Sequence, residues 1–270
     1  MRSRMLGILK DLFARPKQKM QPCAPAGERI YAIGDIHGRL DLFERLVAQI
    51  ERDDHTRGHA RTTLVLLGDL IDRGPESAGV IALARKLTQN RAVEILQGNH
   101  EEMLLSSQTD VNAMLSFLRF GGLETIASYG ASVESLADMS SEEVQTLMNS
   151  IIPAADFEFV AGFKKLVRIG DYVFVHAGLR PETPIDMQLG RDCRWIREPF
   201  LSHDGDFGAF VIHGHTITPE PDRRQNRIGI DTGAYMHGTL TAIGLQGTDQ
   251  WFVQVQEDAS EQPGTLEAMA

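Results

Sequence analysis

Leu67-Gly68-Asp69-Leu70-Ile71-Asp72-Arg73-Gly74 is the stretch from which the rest of the chain can be read. A β-rich apolar run from Thr62 to Leu67 climbs into it, and a helical pattern leaves it after Pro75. Two carboxylates and a guanidinium therefore lie beyond the carboxyl end of a strand, where open α/β sheets gather ligands. Asp69, at the strand tip, can offer one oxygen to each of two metal ions. Asp72 and Arg73 follow closely enough to face the same pocket. An ordinary βα loop whose Asp caps the next helix has the same local look. The functional reading prevails because two similar loops lie nearby, each with metal-ligand side chains.

The first of these ends the strand Ile30-Tyr31-Ala32-Ile33 with Gly34-Asp35-Ile36-His37-Gly38, ahead of an amphipathic helix from Leu40 to Ile50. The stretch quoted above leads into a helix over 76–87. A strand over 92–97 then ends in Gly98-Asn99-His100-Glu101, where a third helix begins. Three successive βα units predict neighbouring parallel strands joined by right-handed crossovers, so all three loops open on one sheet edge. Asp35, His37, Asp69 and Asn99 converge there.

Bulk properties narrow the function. The chain has 270 residues, 42% hydrophobic and 24% charged, with no apolar run long enough to span a bilayer. Its formal charge of −10 argues against a broad nucleic-acid surface, which needs a basic face. An acidic exterior still admits a phosphorylated substrate, because metals and a few arginines can invert the field inside one cleft. Cys23 and Cys193 form neither a disulfide framework nor a thiolate zinc site, and read as free thiols in a reducing cytosol.

Outside the βα units the pattern changes. Residues 1–28 read as a basic leader and linker. Met5, Leu6, Ile8, Leu9, Leu12 and Phe13 fall on one helical face with Arg2, Arg4, Lys10, Arg15 and Lys17 opposite. Such a helix can touch an anionic membrane weakly, without stable insertion, though a loosely packed leader is the plainer reading. Lys10 and Asp11 break the apolar run too early for a signal peptide. Pro22, Pro25 and Gly27 mark the linker, and a catalytic domain is expected over 29–257.

Residues 103–162 read as a helical insertion beside the sheet edge, a wall or lid over the site, with methionines that serve packing. Short strands follow at 164–169, 171–175, 209–212, 227–231, 238–244 and 250–255, the first two a hairpin with a Gly-Asp turn. They suggest a second, mostly antiparallel sheet stacked on the first. Residues 258–270 read as a disordered tail. Two of these later strands end in histidine loops, Val175-His176-Ala177-Gly178-Leu179 and Ile212-His213-Gly214-His215-Thr216. Asp, Asn and His at strand tips, without cysteine, suit Mn, Fe or Zn better than Ca.

The blocks at 34–38, 68–74 and 98–101 resemble the three signature blocks of the phosphoprotein phosphatase family, part of the calcineurin-like metallophosphoesterases. The loops at 176–179 and 214–216 are similar to its two later histidine blocks. The resemblance runs from about Tyr31 to Leu240 and is greatest to the compact bacterial and bacteriophage-lambda-type members. It implies an α/β fold of two stacked mixed β-sheets flanked by helices, with two divalent metals at the sheet edge, manganese first and iron or zinc as alternatives. One metal would take Asp35, His37 and the bridging Asp69. The other would take Asp69, Asn99, His176 and His215, with His213 left as a neighbour.

By the same resemblance, a metal-bridging hydroxide attacks phosphorus in line with the leaving oxygen. His100 would protonate the leaving group, Asp72 would orient His100, and Arg73 with Arg197 would bind phosphoryl oxygens. Arg194 is the competing choice for the second arginine, and Glu101 reads as a helix-start residue supporting its loop. The leading expectation is a cytoplasmic protein serine/threonine phosphatase acting on phosphorylated protein or peptide. The alternative within the family is a diadenosine-tetraphosphate-type nucleotide hydrolase. Members of that type typically carry Ala in place of Asp72 and Asp in place of Glu101. A non-catalytic scaffold is the remaining reading, opposed by the complete ligand set.

Overall fold

In the computed structural model, which describes residues 21–257, the three βα units form as the sequence predicts. Strands β1 (Glu28–Ile33), β2 (Arg61–Leu66) and β3 (Ala92–Ile95) are adjacent and parallel, with Ile33 level with Leu66 and Leu66 with Ile95. Helices α1 (Leu40–Thr56) and α2 (Ser77–Asn90) are the crossovers, and α3 (Asn99–Ser107) leaves β3. Because the strand ends are level, the loops that follow them share one edge.

Side chains alternate along each strand and so build two cores. Tyr31, Ile33, Leu64 and Leu66 face the helices, whereas Ile30, Ala32, Val65 and Leu67 face the second sheet. That sheet contains β4 (Leu166–Ile169), β5 (Tyr172–Val175), β6 (Phe210–His213), β7 (Asp222–Arg223) and β8 (Arg227–Gly229), in the order β4-β5-β6-β8-β7. Tyr172, Phe174, Ile212 and Ile228 close the layer between the sheets. On the outer face, Val173, Val175 and Val211 pack against Cys193, Phe200 and Phe207. The β4–β5 hairpin turns on Gly170, whose φ of 60° is the left-handed geometry that favours glycine.

Three expectations are corrected. The second sheet is mixed, not mostly antiparallel: β5–β6 and β6–β8 pair in parallel, β4–β5 and β7–β8 antiparallel. The last two strands, β9 (Thr239–Gln246) and β10 (Asp249–Gln256), belong to the first sheet, in the order β10-β9-β1-β2-β3. The reason is burial on both faces of β9. Leu240 and Ala242 pack toward the helices, Ile243 and Leu245 toward the second sheet, so both faces are covered when the strand lies beside β1. Thirdly, Pro22–Gly27, expected as a linker, is packed into the fold. Cys23 N–H donates to the Asp171 carboxylate at 3.0 Å, Ala24 N–H to Gly247 O at 2.8 Å, and Ala24 is buried between the sheets. The two-residue β7 was too short to carry a sequence signal.

Residues between β3 and β4 form helices throughout: α3, α4 (Val111–Phe117), a π turn (Leu118–Gly122), α5 (Leu123–Ser128), α6 (Val133–Ala137), α7 (Ser141–Ile151) and α8 (Ala154–Ala161). Met114, Phe117, Ile126 and Met148 pack into the helix-side core. Among the described residues a 3-10 turn (Ile185–Met187) and two short helices remain, α9 (Gly190–Trp195) and α10 (Ala234–His237). Among the described residues no helix is long and apolar enough to cross a membrane. The leader helix expected around residues 5–13 and the tail expected over 258–270 lie outside the described residues.

Candidate active site

The level strand ends bring Asp35, His37, Asp69, Arg73 and Asn99 to a cleft of about 460 Å³, together with Arg197 and His215. His176 follows β5 and packs directly behind this cleft, its Nε2 3.4 Å from Asp69 Oδ2. Tight turns achieve the convergence. His37, Asp69, Asp72, Arg73 and His215 all have φ between 47° and 73°, a region that side chains other than glycine rarely enter. Among the described residues only Glu182 shares that conformation without being a glycine. Backbone strain of this kind concentrates at functional sites.

The imidazole tautomers follow from their partners. His37 Nδ1 lies 2.8 Å from Ile71 O and His176 Nδ1 2.9 Å from Leu67 O; a carbonyl only accepts, so both Nδ1 atoms carry the proton. Each Nε2 then presents a lone pair to the cleft. His176 Nε2 meets Asn99 Oδ1 at 3.0 Å and His215 Nδ1 at 3.2 Å, beside Asp69 Oδ2. Burial holds both His176 and His37 below their ordinary values, so neither supplies a proton to relieve this crowding. Acceptor atoms packed this closely around one buried carboxylate make a site that a divalent cation would satisfy. The Asp-Asn-His donors suit divalent metals, and Asp69 belongs to both close clusters, His37-Asp69-His100 and Asp69-His176-His215.

Their surroundings set the two cleft carboxylates apart. For Asp69, burial would raise the carboxyl, but His176, His100, His37 and His215 outweigh it and hold it well below the ordinary range. Asp35 is pushed the other way by burial and by Asp231 and Asp69. Its two oxygens accept from His215 N–H at 3.2 and 3.1 Å, which pins the last histidine loop to the first sheet. Asp35 lines the cleft without joining either close cluster.

The His100–Asp72 pair lies at the cleft's flank. His100 Nδ1 is 2.6 Å from Asp72 Oδ2, and its Nε2 turns toward Arg73 Nη2 at 3.0 Å. Burial lowers the His100 imidazole, but Asp69 and Asp72 prevail and hold it above its ordinary value. The Arg73 guanidinium bridges His100 and His37 Nε2, the latter at 3.1 Å, and lies 4.5 Å from the Tyr235 ring centre. Glu101 does support its loop: its carboxylate accepts from the N–H groups of Asp69, Leu70 and Gly98 at 2.7–2.9 Å.

Of the two arginine candidates, Arg197 lines the cleft, while Arg194 is tied to Gln97 and Glu102. His213 packs against Phe200 with its ring centre 4.9 Å away, outside the cleft, so it is His215 that faces Asp69 and His176. Three neighbours were missed. Asp231 lies within the run Gly229-Ile230-Asp231-Thr232-Gly233, a further Asp loop just past a strand end, with a pattern readable in the sequence. Burial first, then Asp69, pushes its carboxyl up to about 6. Thr125 and Ser77 surround Asp72.

The sequence profile of the calcineurin-like phosphoesterases matches residues 28–238. The chain belongs to that family. This calcineurin-like phosphoesterase is 28% identical over 231 residues to an asymmetrical bis(5'-nucleosyl)-tetraphosphatase, PrpE, of Anoxybacillus flavithermus, covering 78% of this chain and 88% of the relative. It is 45% identical over 189 residues to a symmetrical bis(5'-nucleosyl)-tetraphosphatase of Acidovorax ebreus, covering 67% of this chain and 51% of the relative. It is 27% identical over 228 residues to serine/threonine-protein phosphatase 1 of Salmonella typhimurium, covering 80% and 92%. Among solved structures, that of a putative diadenosine tetraphosphatase aligns over 86% of this chain and 98% of its own, with a TM-score of 0.60 at 22% identity, a likeness of fold.

Proposed function

We propose that this metallophosphoesterase hydrolyses the phosphate chain of bis(5'-nucleosyl) tetraphosphates, using two divalent cations, manganese first among them. The reaction type rests on one observation: acceptor atoms of His37, His176, Asn99 and His215 gather around Asp69, beside the Arg73 guanidinium. Asp35, His37 and Asp69 would hold one cation, and Asp69, Asn99, His176 and His215 the other. Bound there, the pair would draw charge from phosphoryl oxygens and lower the pKa of a nearby water.

The chain's own groups supply the rest. Arg73 and Arg197 reach into the cleft and would bind non-bridging oxygens, stabilising the charge that builds as water attacks phosphorus. His100, steered by Asp72, would give a proton to the departing oxygen.

The substrate class is supported by the relatives' names, and it displaces the protein phosphatase reading as the leading one. Asp72 and Glu101 pointed toward phosphoprotein, but neither touches the part of a substrate that differs between the classes. Asp72 is engaged with His100, and Glu101 with backbone amides. The second reading, phosphoserine or phosphothreonine peptide, keeps one observation in its favour. The intact His100–Asp72 pair suits an alkoxide, a poor leaving group that needs a proton more than a nucleoside phosphate does.

Metal-stripped protein refilled with manganese, assayed on diadenosine tetraphosphate and on phosphoserine, phosphothreonine and phosphotyrosine peptides, decides between them. The expected outcome is a kcat/KM at least about tenfold higher on the dinucleotide, the counterpart of roughly 1.4 kcal/mol in the barrier. A preference for any of the peptides reverses the assignment.

A further inference from the structure

Two aromatic rings at the cleft rim have no part in the hydrolytic machinery. Phe120, in the π turn, is 46% exposed, and Trp195, the last residue of α9, is 36% exposed. Both line the same cleft as Asp69 and Arg73. They stand beside different clusters of the centre. Gly121, next to Phe120, accepts the Arg73 N–H at 3.1 Å, and its φ of 107° presses the turn against Arg73, on the His37–His100 side. The Trp195 ring centre lies 6.5 Å from that of His215, a member of the Asp69-His176-His215 cluster.

Trp195 is also fixed in place. Its indole N–H donates to one oxygen of Glu102, whose other oxygen takes Arg194. Glu102 sits on α3, three residues after Asn99, so the ring's position is tied to the metal-binding block itself. An edge anchored by a hydrogen bond with part of its surface left open is poor use of an indole as packing, but a good platform for a flat ring.

Charge in the cleft recognises a phosphate chain, and the two rings recognise what is attached to it. We propose that Phe120 and Trp195 are stacking platforms for the nucleobases at the two ends of the substrate, one beside each metal cluster. This rests on the nucleotide reading above. Base-on-aromatic stacking is sequence-tolerant, so either platform would accept any nucleobase, with a preference for the larger purines.

The test uses the full chain with manganese and two probes, a methylene-bridged diadenosine tetraphosphate that resists hydrolysis and inorganic tetraphosphate, which has no bases. The chain has two tryptophans, and Trp251 is packed against Arg57 and Tyr31 and is not among the residues lining the cleft. The dinucleotide analogue should therefore quench fluorescence through Trp195, and the quenching should vanish in Trp195→Leu. Trp195→Leu and Phe120→Leu should each weaken the analogue roughly tenfold. Inorganic tetraphosphate should bind both variants within about twofold of the parent, which also shows that their clefts are folded. Equal losses for the two probes, or no loss for either, overturn the platforms. If the parent chain hydrolyses diadenosine tetraphosphate and the variants bind the analogue unchanged, the platforms alone fall. If the parent neither hydrolyses the dinucleotide nor prefers its analogue to inorganic tetraphosphate, the nucleotide reading falls with them.

Discussion

Thr125 Oγ1 donates to Asp72 Oδ1 at 2.5 Å, deep in the protein, while Asp72 Oδ2 holds His100. Thr125 belongs to α5, in the helical segment between β3 and β4, and Ser77 Oγ lies 3.0 Å from the same hydroxyl. The insertion thus reaches the His100–Asp72 pair from behind. Thr125→Val keeps the shape and removes the donor. It should lower kcat about tenfold on alkyl phosphate esters and much less on substrates with good leaving groups, with KM little changed. Thr125→Ser should restore most of the loss. Uniform losses across leaving groups, read from steady-state kinetics, would mark a purely structural role.

Asp69→Asn removes the one charge shared by both clusters. The amide keeps the volume but forfeits the anionic oxygen, so metal content and activity should fall together, activity by about a thousandfold or more. Elemental analysis of the purified variant is the check. Two tightly retained metals would refute the shared position.

Glu101→Gln tests the clasp between the second and third loops. Burial, with Asp69 adding to it, pushes the Glu101 carboxyl up to about 7, and three N–H donors oppose the shift. An amide has one acceptor oxygen and cannot serve all three donors. The expected loss is about 2 kcal/mol, seen as a fall of roughly 5 °C in Tm for a domain of this size.

Asp53 provides a pH-dependent prediction away from the metals. It accepts from Tyr31 Oη at 2.6 Å, Arg57 Nε at 2.8 Å and Trp251 Nε1 at 2.8 Å. Burial would raise this carboxyl, but those hydrogen bonds prevail and hold it below its ordinary value of 3.8. A depressed carboxyl stabilises the fold above its unfolded pKa, and that contribution is lost as pH falls through the folded value. Asp53→Asn should therefore lower Tm at pH 7 by several degrees. The gap should close progressively below about pH 4 in calorimetric scans.

Much of the site was legible because local order sufficed. Asp35, Asp69 and Asn99 each close a strand of consecutive βα units, and parallel neighbours necessarily place such ends at one edge. His176 and His215 follow β5 and β6, which are themselves a parallel pair, Val175 level with His213. Thr125 was not legible: helical periodicity says which face is buried, not which distant loop it meets. Asp231 had a readable pattern that went unweighted. The misplacement of β9 has a different cause. Its apolar run announces a strand buried on both faces, yet nothing local tells which of two stacked sheets will receive it.

That strand also governs timing. Gly34 N–H, immediately before Asp35, donates to Thr241 O at 3.0 Å, and β9 closes the flank of β1 from Ile30 to Ile33. During synthesis, then, all the expected ligands leave the ribosome before the strand that seats the first of them. A nascent chain halted at residue 238 would hold every ligand in its sequence and still leave β1 with a bare edge. Completion of the centre is thereby deferred until β9 has been made.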